Sequence, residues 1–180
     1  MLNDTIAAIS TALQDGAISV IRISGPDSLA IAGRLFSRRV DDQPTHTVRY
    51  GYIIDPITKE AVDEVLLTVF RAPKTFTRED VVEISGHGGR YITRRILALV
   101  LAEGARLAEP GECTRRAFLN GRIDLTQAEA VMDMIDADSS QQAQLAIQGI
   151  RGSIRRLIEP LNEALLNIIA NIEVNIDYPE

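Results

Sequence analysis

The feature that most constrains the fold is a long apolar stripe in the last third of the sequence. Nine aliphatic residues recur there in eight steps over 29 residues, and the mean spacing of about 3.6 is the period of a straight α-helix. The stripe comprises Ile147, Ile150, Ile154, Leu157, Leu161, Leu165, Ile168, Ile172 and Ile176. Gly149 and Gly152 weaken this helix, and Pro160 is expected to kink or interrupt it because proline lacks a backbone donor. A helix of about 45 Å needs other helices to cover its stripe, so we expect the sequence to be truncated.

The residues before Thr114 alternate between strand and helix patterns. Strands are predicted over 5–10, 17–24, 47–54, 62–70, 81–85 and 105–108. Helices are predicted over 28–36 and 90–103, the second after a tight turn at 86–89 and with Gly104 as its C′ residue. No strand pattern follows Thr114. The sequence therefore predicts an α+β fold.

Composition narrows the class of protein. The net charge of −6 arises wholly after residue 120, where 4 basic residues face 10 acidic ones, and such a segment repels a nucleic-acid backbone. No apolar run is long enough to span a bilayer, and the first residues lack a secretory pattern, so no membrane partner is expected. The single cysteine, Cys113, excludes an internal disulfide and favours a reducing, cytoplasmic location.

Several catalytic motifs are missing. The sequence has no phosphate-binding G-x-x-x-x-G-K-[ST] loop, so no GTP site is expected within these residues. The turn at 86–89 lacks the glycine spacing of a dinucleotide site. Cys113 and His87 could form a nucleophile and its base, but one cysteine and one histidine are a weak signal for that chemistry. One cysteine with two histidines cannot supply the ligands of a typical zinc site. We assign no catalytic residue and no metal site.

Three charged residues lie in unusual positions. Arg22 interrupts the apolar run 18–23, and Glu83 interrupts the run 81–84. A charge within such a strand must face solvent, pair with its opposite or meet a polar ligand. These residues alone leave open an exposed strand face, an Arg22–Glu83 salt bridge or a ligand site. Arg122 could equally be a solvated cation near the end of a helix.

Two segments carry a resemblance to a known family. Residues 76–83 and 87–89, F-T-R-E-D-V-V-E and H-G-G, resemble a segment of the MnmE/TrmE family of tRNA-modification GTPases. Residues 109–130, E-P-G-E-C-T-R-R-A-F-L-N-G-R-I-D-L-T-Q-A-E-A, resemble a second, highly specific segment of that family. The opening D-T-I-A-A at 4–8, the strand end R-I-S-G at 22–25 and the closing D-Y-P-E at 177–180 are similar too. The likeness covers nearly all 180 residues.

The resemblance implies a fold and a function. Residues 1–118 would form a folate-binding and dimerisation domain similar to the tetrahydrofolate-binding domain of glycine-cleavage T-protein. Residues 119–180 would be the first helices of a helical domain, with the GTPase domain absent. The whole protein would be a cytoplasmic, potassium-stimulated GTPase that uses GTP and Mg²⁺. With an FAD-dependent partner protein, it would install (carboxymethyl)aminomethyl at C5 of the wobble uridine in tRNA. These residues alone would not complete that reaction.

The family's folate contacts carry over to Arg22, Glu83 and Arg122. The ligand would be 5-formyl- or 5,10-methylene-tetrahydrofolate, and we hypothesise that Glu83 accepts hydrogen bonds from the pterin. Either arginine could hold the glutamate tail or polarise the ring carbonyl. This interpretation expects Arg22 and Glu83 to be held apart for the ligand.

Three departures from the family pattern affect the site. Residues 11–17 replace the usual glycine-rich loop, Cys113 stands where phenylalanine is usual, and Arg122 stands where lysine is common. Two other functions remain open: a structural assembly piece in which Arg22 and Glu83 pair with each other, and a free-standing folate-dependent transferase. The unmatched apolar stripe argues against the transferase.

Overall fold

The chain forms two compact units in the computed structural model, which describes residues 4–177. The α+β prediction is confirmed, since a mixed six-stranded sheet is combined with six helices in this described range. The first unit extends to Arg122. Residues 119–122 stay with it because Asn120 Nδ2 donates to Thr77 O at 2.6 Å and Arg122 N donates to Ala117 O at 2.9 Å. Residues 178–180 of the family-like ending lie outside the described residues.

The first unit contains the sheet and three helices. Its elements in chain order are β1 (Ile6–Ile9), β2 (Ile18–Ser24), α1 (Ser28–Leu35), β3 (Thr47–Ile54), β4 (Ala61–Phe70), β5 (Val81–His87), α2 (Arg90–Ala102), β6 (Arg106–Leu107) and α3 (Glu112–Leu119). The strand order is β3-β4-β5-β2-β1-β6, and only the β1–β6 pair is parallel. Gly104 follows α2 with φ +109°, as its predicted C′ role requires.

One face of the sheet forms the core with α1 and α2. Ile21, Ile23 and Ile84 are buried there with Leu35 of α1 and Ile96 of α2. Because neighbouring residues of a strand point to opposite faces, the residues next to these isoleucines point to the other face. This alternation places Arg22 of β2 and Glu83 of β5 together on the face away from the core.

Strand β5 is longer than predicted. It continues through Gly86 to His87, which is paired with Ile18 of β2. The carboxylate of Asp63 holds this strand end, since it accepts from the backbone N of His87 at 2.9 Å and contacts Nδ1 at 2.6 Å. This contact also raises the pKa of His87 above its ordinary value. The turn before α2 is therefore confined to Gly88 and Gly89.

The second unit is helical and comprises α4 (Leu125–Ile135), α5 (Ser140–Ile150) and α6 (Ser153–Asp177). Of the kink or interruption expected at Pro160, the interruption is wrong, because α6 continues through that residue. The apolar stripe breaks instead at Gly152, whose φ of +73° favours glycine and ends a helix. The apolar residues of α6 are exposed, Leu157 by 72% and Leu165 by 57%. Within residues 4–177, no helix is long and apolar enough to cross a membrane.

Candidate functional site

Arg22 and Glu83 form a direct ion pair. They are register partners on β2 and β5, and Arg22 Nε and Nη2 donate to Glu83 Oε1 at 2.8 and 2.6 Å. Their side chains are 30% and 23% exposed. The expectation that the two charges are held apart is wrong, because residues directly opposite on one sheet face lie close enough for their side chains to meet.

The ion pair uses only one oxygen of the carboxylate. Both arginine nitrogens donate to Oε1 of Glu83. Among residues 4–177, no hydrogen-bond donor contacts Oε2. A carboxylate oxygen accepts up to two hydrogen bonds, so Glu83 keeps an unused acceptor even while it is paired with Arg22.

Phe76 joins the ion pair to the third predicted residue. The guanidinium carbon of Arg22 lies 6.0 Å from the centre of the Phe76 ring, and that of Arg122 lies 5.0 Å from it. Both distances are typical of a cation–π contact. The fold thus brings Arg22, Glu83 and Arg122 together from β2, β5 and the segment after α3. No residue pattern singled out Phe76, although it begins the family-like segment at 76–83.

A cavity opens on the Arg122 side of Phe76. Its volume is about 480 Å³, within the range of about 300–1,000 Å³ that is typical of small-molecule sites. The residues that line it are His46, Phe70, Pro73, Lys74, Thr75, Phe76, Arg78 and Arg122. The ion pair does not line this cavity but adjoins it through Phe76. A planar ring therefore has room beside the charged cluster.

Hydrogen bonds fix the loop that carries Phe76, which connects β4 to β5. The hydroxyls of Thr77 and Ser24 lie 2.7 Å apart, and Ser24 Oγ also donates to Glu79 Oε2 at 2.7 Å. Asn120, which follows α3, donates from Nδ2 to Thr77 O. Arg78 Nη1 of the loop in turn donates to Asn120 O at 3.1 Å. These bonds hold Phe76 and Arg122 in one arrangement.

Beneath this loop lies a buried ionic cluster centred on Arg116, which is fully buried in α3. Its side chain donates five hydrogen bonds, to the carboxylates of Glu79, Glu112 and Asp4 and to the carbonyl of Asp4. Arg106 completes the cluster by donating to Glu112. Hydrogen bonds from Arg106 are the main cause that lowers the pKa of Glu112 to about 2. The residue patterns did not reveal this cluster, because its members come from segments that are distant in the sequence.

Cys113 lies near the guanidinium of Arg22. Burial raises the pKa of its thiol, and the neighbouring Arg22 charge only partly opposes this shift. A protonated thiol is a poor nucleophile.

Comparisons with known proteins show the family to which both units are similar. Residues 5–122 match the family model described as GTP-binding protein TrmE N-terminus, and residues 125–180 match the MnmE helical domain. The chain is 56% identical to a tRNA modification GTPase MnmE of Geobacillus kaustophilus and 57% identical to one of Latilactobacillus sakei. Each match covers 98% of this chain but only 39% and 38% of the relatives. The chain thus spans well under half the length of these relatives.

Proposed function

Because the chain belongs to the MnmE family of tRNA modification GTPases, we propose that its first unit binds a one-carbon tetrahydrofolate. The ligand would be 5-formyl- or 5,10-methylene-tetrahydrofolate, and the binding residues would be Arg22, Glu83 and Arg122. The observation that carries the proposal is that Arg22, paired with Glu83, and Arg122 both contact the Phe76 ring, beside a cavity of ligand size.

The chemistry of the pterin suits the ion pair. A pterin edge carries adjacent N–H donors next to a carbonyl acceptor. Glu83 accepts the N–H donors through its unused Oε2, while the guanidinium of Arg22 donates to the carbonyl. The ion pair therefore acts as a preformed donor and acceptor set. Phe76 provides an aromatic surface for the ligand, and Arg122 provides a charge for its carboxylates.

Titration of the chain with 5-formyltetrahydrofolate tests the proposal. We expect one ligand per chain with a dissociation constant in the micromolar range, about −8 kcal/mol, measured by calorimetry. The alternative function is a structural assembly piece without a ligand, and the direct Arg22–Glu83 pair favours it. The absence of any binding heat and of any thermal stabilisation by ligand would support that alternative.

We also propose that the first unit dimerises. The sheet face opposite the core exposes a group of apolar side chains on β2, β3 and β4, which comprises Ile18, Val48, Tyr50, Tyr52 and Leu66. Contiguous exposed apolar surface of this kind is typical of protein interfaces. A second copy of the chain is the occupant that the family resemblance favours.

Sedimentation velocity at micromolar concentration is expected to show a dimer. The variant Leu66→Glu should be monomeric, because it places a charge in the centre of the apolar face. Ile57→Glu is the matched control, since Ile57 is 88% exposed in the β3–β4 turn. A monomer for the unsubstituted chain, or an unchanged dimer for Leu66→Glu, would contradict the proposal.

In a protein that also carries a GTPase domain, we propose that this chain contributes the folate site to wobble-uridine modification in tRNA. The name of its relatives, tRNA modification GTPase, supports this role. GTP, Mg²⁺ and K⁺ would bind to that GTPase domain. The methylene carbon of the folate would become part of the group at C5 of the uridine, with an FAD-dependent protein as partner. The exposed stripe of α6 would pack against further helices of the helical domain.

A further inference from the structure

We propose that the cavity beside Phe76 binds the carboxylates of a poly-γ-glutamate tail, so that the site prefers polyglutamylated folates to the monoglutamate. The proposal rests on the proposed function, because the tail reaches the cavity joined to tetrahydrofolate. It adds Lys74 and Arg78 as binding residues, and His46 as a further polar group at the wall.

The cavity is strongly cationic. Lys74, Arg78 and Arg122 line it together with His46, and none of its lining residues is acidic. Within the described range 4–177, no carboxylate forms an ion pair with any of these three cations. Most arginines on the same unit do have such a partner, as Arg34 has in Glu103 and Arg49 has in Asp42. Like charges that share a concave wall without counter-charges favour an anionic ligand.

Two of the three cations are held in place by contacts with the first unit. Arg78 has a left-handed backbone, with φ of 59°, and its Nη1 is anchored on Asn120 O. Arg122 is held against Phe76 at 5.0 Å. Ordering these side chains before binding reduces the entropy that a ligand must overcome.

The position of the cavity suits the order of groups in a folate. The ion pair that would hold the pterin contacts Phe76 through Arg22 but does not line the cavity, whereas Phe76 and Arg122 both line it. A ligand held at Glu83 and passing over Phe76 would direct its glutamate end toward Lys74 and Arg78. Each γ-linked glutamate adds one carboxylate, so a triglutamate brings enough charge for all three cations.

A nucleic-acid backbone fits this cavity less well. Recognition of phosphates along a strand uses a basic stripe or groove. The three cations here surround one pocket whose walls include Phe70, Pro73 and Phe76. A short, flexible chain of carboxylates fits such a pocket better than a helical backbone does.

The test compares 5-formyltetrahydrofolate with one and with three glutamates by calorimetry on the full chain. We expect the triglutamate to bind about tenfold more tightly, since each of two further partly exposed ion pairs contributes modestly. The variant Lys74→Gln/Arg78→Gln should reduce this ratio to within about twofold. The matched control Lys59→Gln/Arg94→Gln removes two exposed cations outside the cavity and should keep the full ratio.

Other outcomes would overturn the inference in distinct ways. Equal affinity of the unsubstituted chain for both ligands would overturn it and leave the folate site intact. A tenfold preference that survives in the cavity variant, with its fold confirmed by circular dichroism, would also overturn it. Displacement of the triglutamate, but not of the monoglutamate, by a short RNA stem-loop would assign the cavity to phosphates instead. Binding of neither folate would defeat the proposed function itself.

Discussion

Replacing Glu83 with alanine is expected to abolish measurable binding of 5-formyltetrahydrofolate. The change removes the carboxylate that would accept the pterin donors, and it leaves the guanidinium of Arg22 without its partner beside Phe76. A hydrogen bond to a charged group contributes about 1.5–3 kcal/mol, so the loss of two such bonds lowers affinity by at least about 100-fold. Calorimetric titration of the variant measures this loss directly.

Two further variants separate recognition from general effects of charge. Glu103→Ala removes a carboxylate from another ion pair, with Arg34 at 2.5 Å, and should bind folate normally. Glu83→Gln keeps one acceptor oxygen without the negative charge, so its affinity should lie between those of the alanine variant and the unsubstituted chain. Affinity of Glu83→Ala within about threefold of the unsubstituted chain, or ~0.6 kcal/mol, would show that Glu83 does not bind the pterin.

The local pattern of the sequence was sufficient to identify the strands and to single out two residues of the candidate site. Arg22 and Glu83 are the charges inside apolar strand runs, and burying such groups requires a partner. Whether that partner is a ligand or each other depends on strand register, since a shift of one residue would move either side chain to the other face of the sheet. Register is set by long-range pairing between β2 and β5. A local pattern does not contain this information.

The features that the sequence did not reveal depend on contacts between distant segments. Phe76 matters because residues from β2 and from the end of α3 meet at its ring. At Pro160, proline costs a helix one hydrogen bond, yet the break falls at Gly152, where the backbone adopts a positive φ. The loss of one backbone hydrogen bond is small compared with the backbone hydrogen bonds that remain along a 25-residue helix.

Replacing Arg116 is expected to destabilise the first unit strongly. The variant Arg116→Met keeps an unbranched side chain but removes the guanidinium, so Glu79 loses its cation while Glu112 and Asp4 keep Arg106. The carboxylate of Glu112 is fully buried. Removing one partner from a buried ion pair costs about 3–5 kcal/mol, a large part of the stability of a typical domain. Denaturant unfolding followed by tyrosine fluorescence reports on this unit, which contains Tyr50, Tyr52 and Tyr91.

The adjacent Arg115 provides the control for this effect. Arg115 is 52% exposed; its Nη2 contacts the exposed carboxylate of Glu109 at 2.9 Å and lies 3.7 Å from Glu112 Oε1, which Arg106 and Arg116 contact more closely. Arg115→Met should therefore lower the free energy of unfolding by no more than about 1 kcal/mol. If both variants lowered the free energy of unfolding by the same small amount, the buried cluster would contribute no more to stability than a surface ion pair does. Because Glu79 connects Arg116 to Ser24 and to the loop of Phe76, Arg116→Met should also weaken folate binding before the unit unfolds. A variant that is destabilised but binds folate with unchanged affinity would show that the cluster supports the fold and does not position the site.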